Sequence, residues 1–429
     1  MTYQDTLHFL YEQLPMYQRL GQAAFKKDLT NIRALLAVLN HPERRFASIH
    51  VGGTNGKGSV SHLLSAALQA AGYRVGLYTS PHYRDFRERI KIDGQLVDEQ
   101  FVVDFVAQLR PALADIQPSF FEITVAMAFQ AFAQRSVDIA VVEVGLGGRL
   151  DSTNVLLPEL SVITNISLDH QQMLGDSLPE IASEKAGIIK PATPVVIGET
   201  QVATTPVFRA KAAQVNAPLY FADQLFWVRE LEHDFDYTYY EVQRLQRLYQ
   251  PRLAAQLHGS YQRFNLQTAL AALEIWQQHH PQRSVTPEAV ENGWQKLRSL
   301  THYQGRWQWL SHEPAVLVDS AHNVGGLTEV LAALRAYERP LHIVLGVVND
   351  KKLEDVLPLF PSTARYYFAK ANIPRGLSAT NLQAAAAHYG LRGETYPNVV
   401  AALDTAKAAA KSQDLIFVGG SIFTVAEVL

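Results

Sequence analysis

The sequence IHVGGTNGKGSVSHLL, residues 49–64, has a glycine-rich turn between a β-like run and a helix-like run. Glycine permits positive φ and lets a ligand approach the backbone closely. The N–H groups and dipole at a helix N-terminus favour an anion, so the stretch predicts a phosphate site. Its predicted nucleotide contacts are Gly53, Thr54, Asn55, Gly56, Lys57, Gly58 and Ser59. Lys57 is placed to reach the outer phosphates, and the Ser59 hydroxyl to reach a bound Mg²⁺.

This loop departs from the standard P-loop pattern G-x-x-x-x-G-K-[ST]. Val51 stands where the first glycine belongs, and Gly58 follows Lys57 in place of Ser or Thr. Two interpretations therefore remain on spacing alone, a nucleotide site and a purely structural glycine turn.

Two further polar residues follow strand-like runs. Glu143 ends VDIAVVEV (137–144), and His170 follows LSVITNIS (160–167). Ligands of open parallel sheets bind at the carboxyl ends of strands, and a carboxylate there suits Mg²⁺. Imidazole prefers softer metals, so on sequence alone His170 is either a hydrogen-bonded structural residue or a ligand.

The elements that carry these residues alternate between strand and helix, which predicts parallel sheets. Further strands are expected at 46–51, 73–80 and 193–198, and after residue 300 at 314–320, 341–348, 364–370 and 415–420. The segment 226–249 reads as an antiparallel hairpin, and two helices follow at 261–279 and 286–298. We predict an α/β protein with a P-loop parallel-sheet N-terminal domain (1–298) and a smaller Rossmann-like α/β C-terminal domain (299–429).

The composition excludes several functional classes. The 429 residues are 48% hydrophobic and 18% charged, carry a net charge of −3 and contain no cysteine. This charge gives no footprint for nucleic acid or an anionic membrane surface, and no thiol chemistry is available. No signal peptide or membrane-length apolar run occurs, so we expect a soluble cytoplasmic protein.

Longer motifs around these residues resemble the folylpolyglutamate synthase family of the Mur-ligase superfamily, whose members in many bacteria double as dihydrofolate synthase. The matching stretches are GTNGKGS (53–59), TSPHYRDFRERI (79–90), VEVGLGGRLDSTN (142–154), ITNISLDHQQMLG (163–175), EKAGIIK (184–190), GSYQRFN (259–265), GR (305–306), DSAHN (319–323) and GVVNDKK (346–352). They occur in the family's order through nearly the whole chain.

In the N-terminal domain, the resemblance implies metal ligands at Ser80, Glu143 and His170, with Ser59 as a further ligand. It implies that Lys185 is a catalytic carbamylated lysine, although sequence alone also allows a solvated helix lysine. The expected substrate contacts are Pro81, His82, Arg149 and Asp151, the last two in a loop that reads equally as a structural turn.

The run 120–132 places Phe121, Val125 and Phe129 on one helix face. An ordinary core stripe and the lining of a pterin pocket are both possible for this face.

In the later part of the chain, the resemblance implies that Asn265, Arg306 and Asp319 contact ATP and that His322 is catalytic. Sequence alone also permits ordinary polar loop residues at all four positions. The local motifs depart from the family's D-G-A-H-N-P at Ser320 and Val324, and YQGR (303–306) replaces W-P-G-R.

The expected reaction is ATP-dependent addition of L-glutamate to folate or dihydropteroate through an acyl phosphate, with Mg²⁺ and a monomeric protein. A peptidoglycan-precursor Mur ligase normally carries a nucleotide-sugar domain before the loop, and only 52 residues precede Gly53. A P-loop NTPase or nucleotide-dependent binding protein that is not a ligase is the alternative from another class.

Overall fold

The computed structural model describes residues 1–15, 28–349 and 352–429. Asp350 and Lys351 of the GVVNDKK motif therefore lie outside the described residues. The chain forms two compact units, which we call unit 1 (Met1–Gln256 with Gln262–Tyr303) and unit 2 (Leu257–Tyr261 with Gln304–Leu429). The predicted division into 1–298 and 299–429, with an activity assigned to each domain, stays a prediction.

Unit 1 contains an eight-stranded sheet in the order β4-β3-β2-β5-β1-β6-β7-β8. Its strands are β1 (Ala47–Gly52), β2 (Val75–Tyr78), β3 (Ile90–Ile92), β4 (Gln95–Leu96), β5 (Ile139–Glu143), β6 (Leu160–Ile163), β7 (Val195–Ile197) and β8 (Leu219–Phe221). The six strands from β2 to β8 in this order are parallel, and β3 and β4 add an antiparallel edge. The predicted parallel sheet is confirmed.

Helices connect and flank these strands. They are α1 (Tyr3–Glu12), α2 (Thr30–Val38), α3 (Lys57–Ala70), α4 (Glu99–Ile116), α5 (Phe120–Gln134), α6 (Gln171–Leu174), α7 (Leu178–Ala186), α8 (Thr205–Gln214), α9 (Ala222–Leu225), α10 (Gln262–His279), α11 (Pro287–Gln295) and α12 (Leu297–Thr301). Strands β5 and β6 are wholly buried and β1 is buried except at Ala47, as expected for a sheet covered on both faces.

The predicted hairpin at 226–249 is a three-stranded antiparallel sheet. Its strands are β9 (Phe226–His233), β10 (Thr238–Arg244) and β11 (Arg247–Ala255), in the order β11-β10-β9. Leu245 and Gln246 join β10 to β11 with φ of 47° and 64°. Tight hairpin turns with positive φ normally use Asn or Gly, so these two residues concealed the third strand.

Unit 2 contains a six-stranded sheet in the order β12-β13-β17-β14-β15-β16, parallel except for β12. Its strands are β12 (Gln308–His312), β13 (Ala315–Val318), β14 (Leu341–Leu345), β15 (Arg365–Ala369), β16 (Arg392–Tyr396) and β17 (Leu415–Gly419). Its helices are α13 (Val324–Arg335), α14 (Leu353–Val356), α15 (Ala379–Ala387), α16 (Val399–Ala409) and α17 (Ile422–Ala426). The sequence missed the two edge strands, β12 and β16, because neither contains a fully buried residue.

The apolar face predicted for α5 (Phe121, Val125 and Phe129) is ordinary core at two of its three positions. Val125 and Phe129 are fully buried in the hydrophobic core of unit 1, which confirms ordinary core packing for them. Phe121 is only partly buried, at the edge of that core. Among the helices of the described ranges, none combines the length and apolar character needed to cross a bilayer.

Candidate active site

The glycine-rich loop leaves β1 and enters α3 at Lys57. Gly53 and Gly56 have φ of 135° and 85°, values that residues with side chains rarely adopt. A Cβ at Gly53 would lie 1.9 Å from Oγ1 of Thr164, and one at Gly56 would lie 2.1 Å from Oδ1 of Asn265. Gly53 and Gly56 therefore let the loop pack against Thr164 and Asn265, and a ligand could also approach the backbone closely at these positions.

Part of the loop backbone is held by the segment after β6. The Thr54 N–H donates to the Asn165 carbonyl at 2.8 Å, and the Asn55 N–H donates to the Asn165 side chain at 2.9 Å. The Thr164 hydroxyl donates to the Asn55 carbonyl at 2.6 Å. A helix leaves its first N–H groups without intrahelical partners, so the start of α3 is the part of the loop best suited to an anion.

Two lysines converge on one carbonyl oxygen of this loop. The Lys57 Nζ donates to the Gly53 carbonyl at 3.2 Å and to the Thr54 carbonyl at 3.1 Å. The Lys185 Nζ, from α7, donates to the same Gly53 oxygen at 2.8 Å and is buried. Burial and the Lys57 charge lower the pKa of Lys185 to about 7, against an opposing effect of Asp169 and Asp151. Lys185 is therefore not a solvated helix lysine.

Three of the four predicted metal ligands lie around the start of α3. The buried Glu143, at the end of β5, accepts a hydrogen bond from the Ser80 N–H at 3.2 Å. A Cβ at Gly58 would be 3.8 Å from the Glu143 carboxylate, which places that carboxylate beside the loop. The buried Ser59 hydroxyl lies 2.9 Å from the Tyr303 hydroxyl. Carboxylate and hydroxyl oxygens are hard ligands, so this group fits Mg²⁺.

His170 lies in a different loop, with φ of 51° at the start of α6. Its Nε2 is 3.8 Å from a carboxylate oxygen of Asp169, the residue that also acts electrostatically on Lys185. Within the described ranges, no three His, Asp or Glu side chains form a group that could hold a metal. The predicted ligand set includes only Glu143 and His170 of those types, because its other members are serines.

The predicted substrate residues Pro81 and His82 follow β2. Pro81 is exposed. His82 accepts a hydrogen bond at Nδ1 from the Arg89 side chain at 2.8 Å, and its Nε2 lies 3.5 Å from the Tyr11 hydroxyl. Burial and the Arg89 charge lower the pKa of His82 to about 3, so the ring is neutral. Arg89 is buried, and no role was predicted for it from the sequence.

Arg149 and Asp151 serve different purposes in the loop after β5. Arg149 forms a salt bridge with Glu184 at 2.8 Å, and its side chain is 57% exposed. Asp151 is buried and accepts from the Leu146 and Thr153 N–H groups, each at 2.9 Å, and from the Thr153 hydroxyl. Burial raises the pKa of its carboxyl, although these hydrogen bonds oppose the shift. Asp151 thus holds the turn that directly follows Glu143.

In unit 2, Asp319 organises the loop after β13. Its buried carboxylate accepts from the Tyr261 hydroxyl at 2.6 Å, the Trp307 N–H at 2.8 Å and the Ala321 N–H at 2.7 Å. Ser320, which replaces a glycine of the family motif, donates through its hydroxyl to the Gly305 carbonyl at 2.9 Å. This bond anchors the segment that carries Arg306.

The His322 ring has a defined tautomer. Its Nδ1 lies 3.1 Å from the Ser320 carbonyl oxygen. Because a carbonyl only accepts, Nδ1 carries the proton in the neutral ring and Nε2 is the basic nitrogen. The sequence could not have given this detail.

A parallel sheet with a glycine-rich loop before a helix, followed along the chain by a second α/β unit, is consistent with a Mur-type ligase. The Mur ligase middle domain matches residues 51–273, and the Mur ligase glutamate ligase domain matches residues 305–422. The chain belongs to the folylpolyglutamate synthase/dihydrofolate synthase family of these ligases.

Among its relatives, folylpolyglutamate synthase of Lacticaseibacillus casei is 33% identical over 94% of this chain and 93% of its own length. The chain is also 34% identical to a protein of Haloferax volcanii described as a probable bifunctional folylpolyglutamate synthase/dihydropteroate synthase, and it spans 50% of that protein's length.

Solved structures agree with this assignment. Escherichia coli FolC in complex with DHPP and ADP has a TM-score of 0.87 and 29% identity, covering 100% of this chain and 97% of that one. The bifunctional folylpolyglutamate synthase/dihydrofolate synthase of Yersinia pestis, complexed with AMPPNP and Mn ion, has a TM-score of 0.85 and 29% identity, with 100% and 97% coverage. The predicted fold class, a P-loop domain plus a smaller α/β domain, is confirmed.

Proposed function

We propose that this chain joins the α-amino group of L-glutamate to a carboxylate of folate, using ATP. The arrangement that supports this most strongly is the glycine-rich loop in unit 1, where Lys57 and Lys185 meet at the Gly53 carbonyl and Glu143 lies beside Gly58. Dihydropteroate is the second acceptor, suggested by the relatives named dihydrofolate synthase/folylpolyglutamate synthase.

A carboxylate is a poor electrophile for an amine, so it must first be activated. A folate carboxylate oxygen attacks the γ-phosphorus of ATP, and the bond between that phosphorus and the β,γ-bridging oxygen breaks. ADP departs, and the folate carboxylate has become an acyl phosphate. Lys57 and the N–H groups at the start of α3 balance charge on the transferred group, because phosphoryl transfer depends chiefly on positioning and electrostatics. Mg²⁺, held by Glu143 and Ser80 with Ser59 and His170, would supply further positive charge there.

In the second step, the neutral amine of glutamate attacks the acyl carbon and phosphate leaves. The amine must lose a proton as the amide forms. We propose that His322 Nε2 accepts this proton, because the Ser320 carbonyl holds the ring's own proton on Nδ1. Arg306 is proposed to contact phosphate, and Asn265 and Asp319 the nucleotide. Pro81, His82 and Arg149 are proposed substrate contacts, and Asp151 supports their loop.

Lys185 is proposed to be carbamylated. Its neutral amine would attack CO₂, form an N–C bond and release one proton. A pKa lowered to about 7 supplies the neutral amine near neutral pH, and the bond to the Gly53 carbonyl places the group under the loop. With ¹³C-labelled bicarbonate, a carbamate carbon signal should appear in the parent protein and disappear in Lys185→Met. Identical spectra of the two proteins would exclude the modification.

The ligase and the NTPase interpretations differ in how ATP turnover depends on the acceptors. Sustained ADP release over many turnovers should require both folate and L-glutamate and should yield one glutamylated product per ADP. Comparable ADP release without either acceptor would favour a nucleotide hydrolase. Repeating the assay with dihydropteroate tests the second acceptor.

A further inference from the structure

A buried chain of hydrogen bonds begins at the hydroxyl of Ser59, at the end of the glycine-rich loop (residues 53–59), which we also call the phosphate loop. Ser59 Oγ lies 2.9 Å from the hydroxyl of Tyr303, a residue 244 positions away but within the same unit. The Gln262 side-chain amide donates to that Tyr303 hydroxyl at 2.9 Å. Ser59, Gln262 and Tyr303 are 3%, 0% and 6% exposed, so water does not readily replace these partners.

The chain returns to the loop through α10. The Asn265 amide nitrogen donates to the Gln262 Oε1 at 2.7 Å. The side-chain oxygen of Asn265, Oδ1, lies against Gly56, only 2.1 Å from where a Cβ on that glycine would be. Two positions of the phosphate loop, Gly56 and Ser59, are therefore connected through side chains outside it.

The direction of the two bonds made by the Gln262 side chain follows from donor and acceptor chemistry. Because the Gln262 oxygen accepts from Asn265, its nitrogen is the group that donates to Tyr303. The phenol oxygen therefore accepts from Gln262, and its hydrogen bond to Ser59 Oγ can form with either hydroxyl as the donor. In either direction, the hydrogen bond restrains the rotamer of Ser59.

We propose that Tyr303 is a positioning residue that orients the Ser59 hydroxyl toward the nucleotide and its metal ion, with Gln262 and Asn265 holding it in place. The proposal rests on the proposed function, in which Ser59 contacts Mg²⁺ or phosphate. Tryptophan, the residue of the W-P-G-R pattern, only donates and could not accept the hydrogen bond from Gln262. The closed chain therefore requires a hydrogen-bond acceptor at position 303, which the Tyr303 hydroxyl supplies.

A double-mutant cycle with Ser59→Ala and Tyr303→Phe tests this role. The affinity for AMPPNP with Mg²⁺ is measured by calorimetry for the parent, both single variants and the double variant. A hydrogen bond between neutral groups is equivalent to about a threefold to tenfold change in affinity, so Tyr303→Phe should weaken binding by that factor. In the Ser59→Ala background, the same substitution should have no further effect.

Tyr366→Phe is the matched control. It also removes a phenol hydroxyl, which donates to the Pro361 carbonyl at 2.7 Å in unit 2. It should lower resistance to urea without changing AMPPNP affinity. Folded Tyr303→Phe protein that binds AMPPNP as tightly as the parent would overturn the proposal, and so would independent effects in the double variant.

The cycle reads nucleotide binding and not ligation. A parent protein that binds AMPPNP but forms no glutamylated product would contradict the proposed function, while the cycle would still decide the role of Tyr303. A parent protein that binds no nucleotide would overturn both.

Discussion

Lys57 and Lys185 direct two amines at one carbonyl oxygen, that of Gly53. Two ammonium groups so close repel one another, and burial adds to the cost of charging Lys185. The exposed environment of an ordinary helix lysine has no such effect. The two lysines therefore differ: Lys57 hydrogen-bonds to two carbonyls of the loop, whereas Lys185 is a buried amine whose pKa is lowered to about 7.

Lys57→Ala should lower product formation by about 100-fold or more, as expected when a donor to developing charge is removed. Lys407→Ala, which changes an exposed lysine of α16, should be as active as the parent. Initial rates with ATP, folate and glutamate measure the effect, and urea unfolding checks the fold. Parent-like rates in Lys57→Ala would exclude the phosphate loop from catalysis.

The lowered pKa of Lys185 predicts a pH-dependent stability. Its pKa falls from 10.5 to about 7 on folding, so between these values the unfolded chain binds more protons. The free energy of unfolding should therefore rise with pH across this window, by up to about 1.4 kcal/mol per pH unit from this residue. Urea unfolding in bicarbonate-free buffer should show the rise in the parent and a smaller one in Lys185→Met. Equal slopes would contradict the assignment.

Glu143→Gln replaces an ionic ligand by a neutral amide at the end of β5. The Mg²⁺ concentration for half-maximal activity should increase by about tenfold to 100-fold, at least the loss expected when an outer-shell partner is removed. Asp115→Asn, an exposed position in α4, is the matched control and should keep the parent's requirement. An unchanged Mg²⁺ titration for Glu143→Gln would remove that residue from the metal site.

At the scale of elements, the junction of β1 and α3 depends on backbone conformations that only glycine adopts readily. Gly53 must have φ of 135° and must also make room for Thr164. Gly72, which follows α3, has φ of 89° but would place a Cβ in open space. Comparing alanine substitutions at Gly53 and Gly72 therefore separates the cost of a positive φ, which both share, from the cost of a steric clash, which only Gly53 has.

Gly53→Ala should therefore lower the free energy of unfolding by more than Gly72→Ala does. The positive φ alone costs about 1 kcal/mol for alanine, and the contact with Thr164 raises the loss to about 2–4 kcal/mol. Urea midpoints at unchanged slope measure both variants. A smaller loss for Gly53→Ala than for Gly72→Ala would show that the segment after β6 does not constrain the loop.

The sequence predicted those elements that are buried and regular. The runs at 46–51, 137–144 and 415–420 became β1, β5 and β17 because continuous burial gives continuous apolar runs. Edge strands β12 and β16 escaped prediction, since solvent on their exposed sides allows polar residues. The resemblance predicts site roles for Lys185 and Glu143, and these stay predictions. Hydrogen bonds between distant positions, such as those of Tyr303 and Arg89, have no local signal in the sequence.

At the scale of the whole molecule, the proposed reaction uses residues of both units. Of the residues to which we assign roles, the loop, Lys185 and Glu143 belong to unit 1, and Arg306 and His322 belong to unit 2. The match to the Mur ligase middle domain lies in the earlier part of the chain, and the match to the glutamate ligase domain lies in the later part. The match to the middle domain covers the loop, Lys185 and Glu143, and the match to the glutamate ligase domain covers Arg306 and His322.

The central claim is that the acceptor carboxylate is phosphorylated before glutamate attacks. Folate labelled with ¹⁸O in its carboxylates, incubated with ATP, L-glutamate and Mg²⁺, tests this claim in a single measurement by mass spectrometry of the released phosphate. Because the attacking carboxylate oxygen stays with phosphorus when the amide forms, each phosphate should carry one ¹⁸O for each glutamylated product. Phosphate without ¹⁸O would contradict the acyl-phosphate pathway, and phosphate release without glutamylated folate would contradict ligation itself.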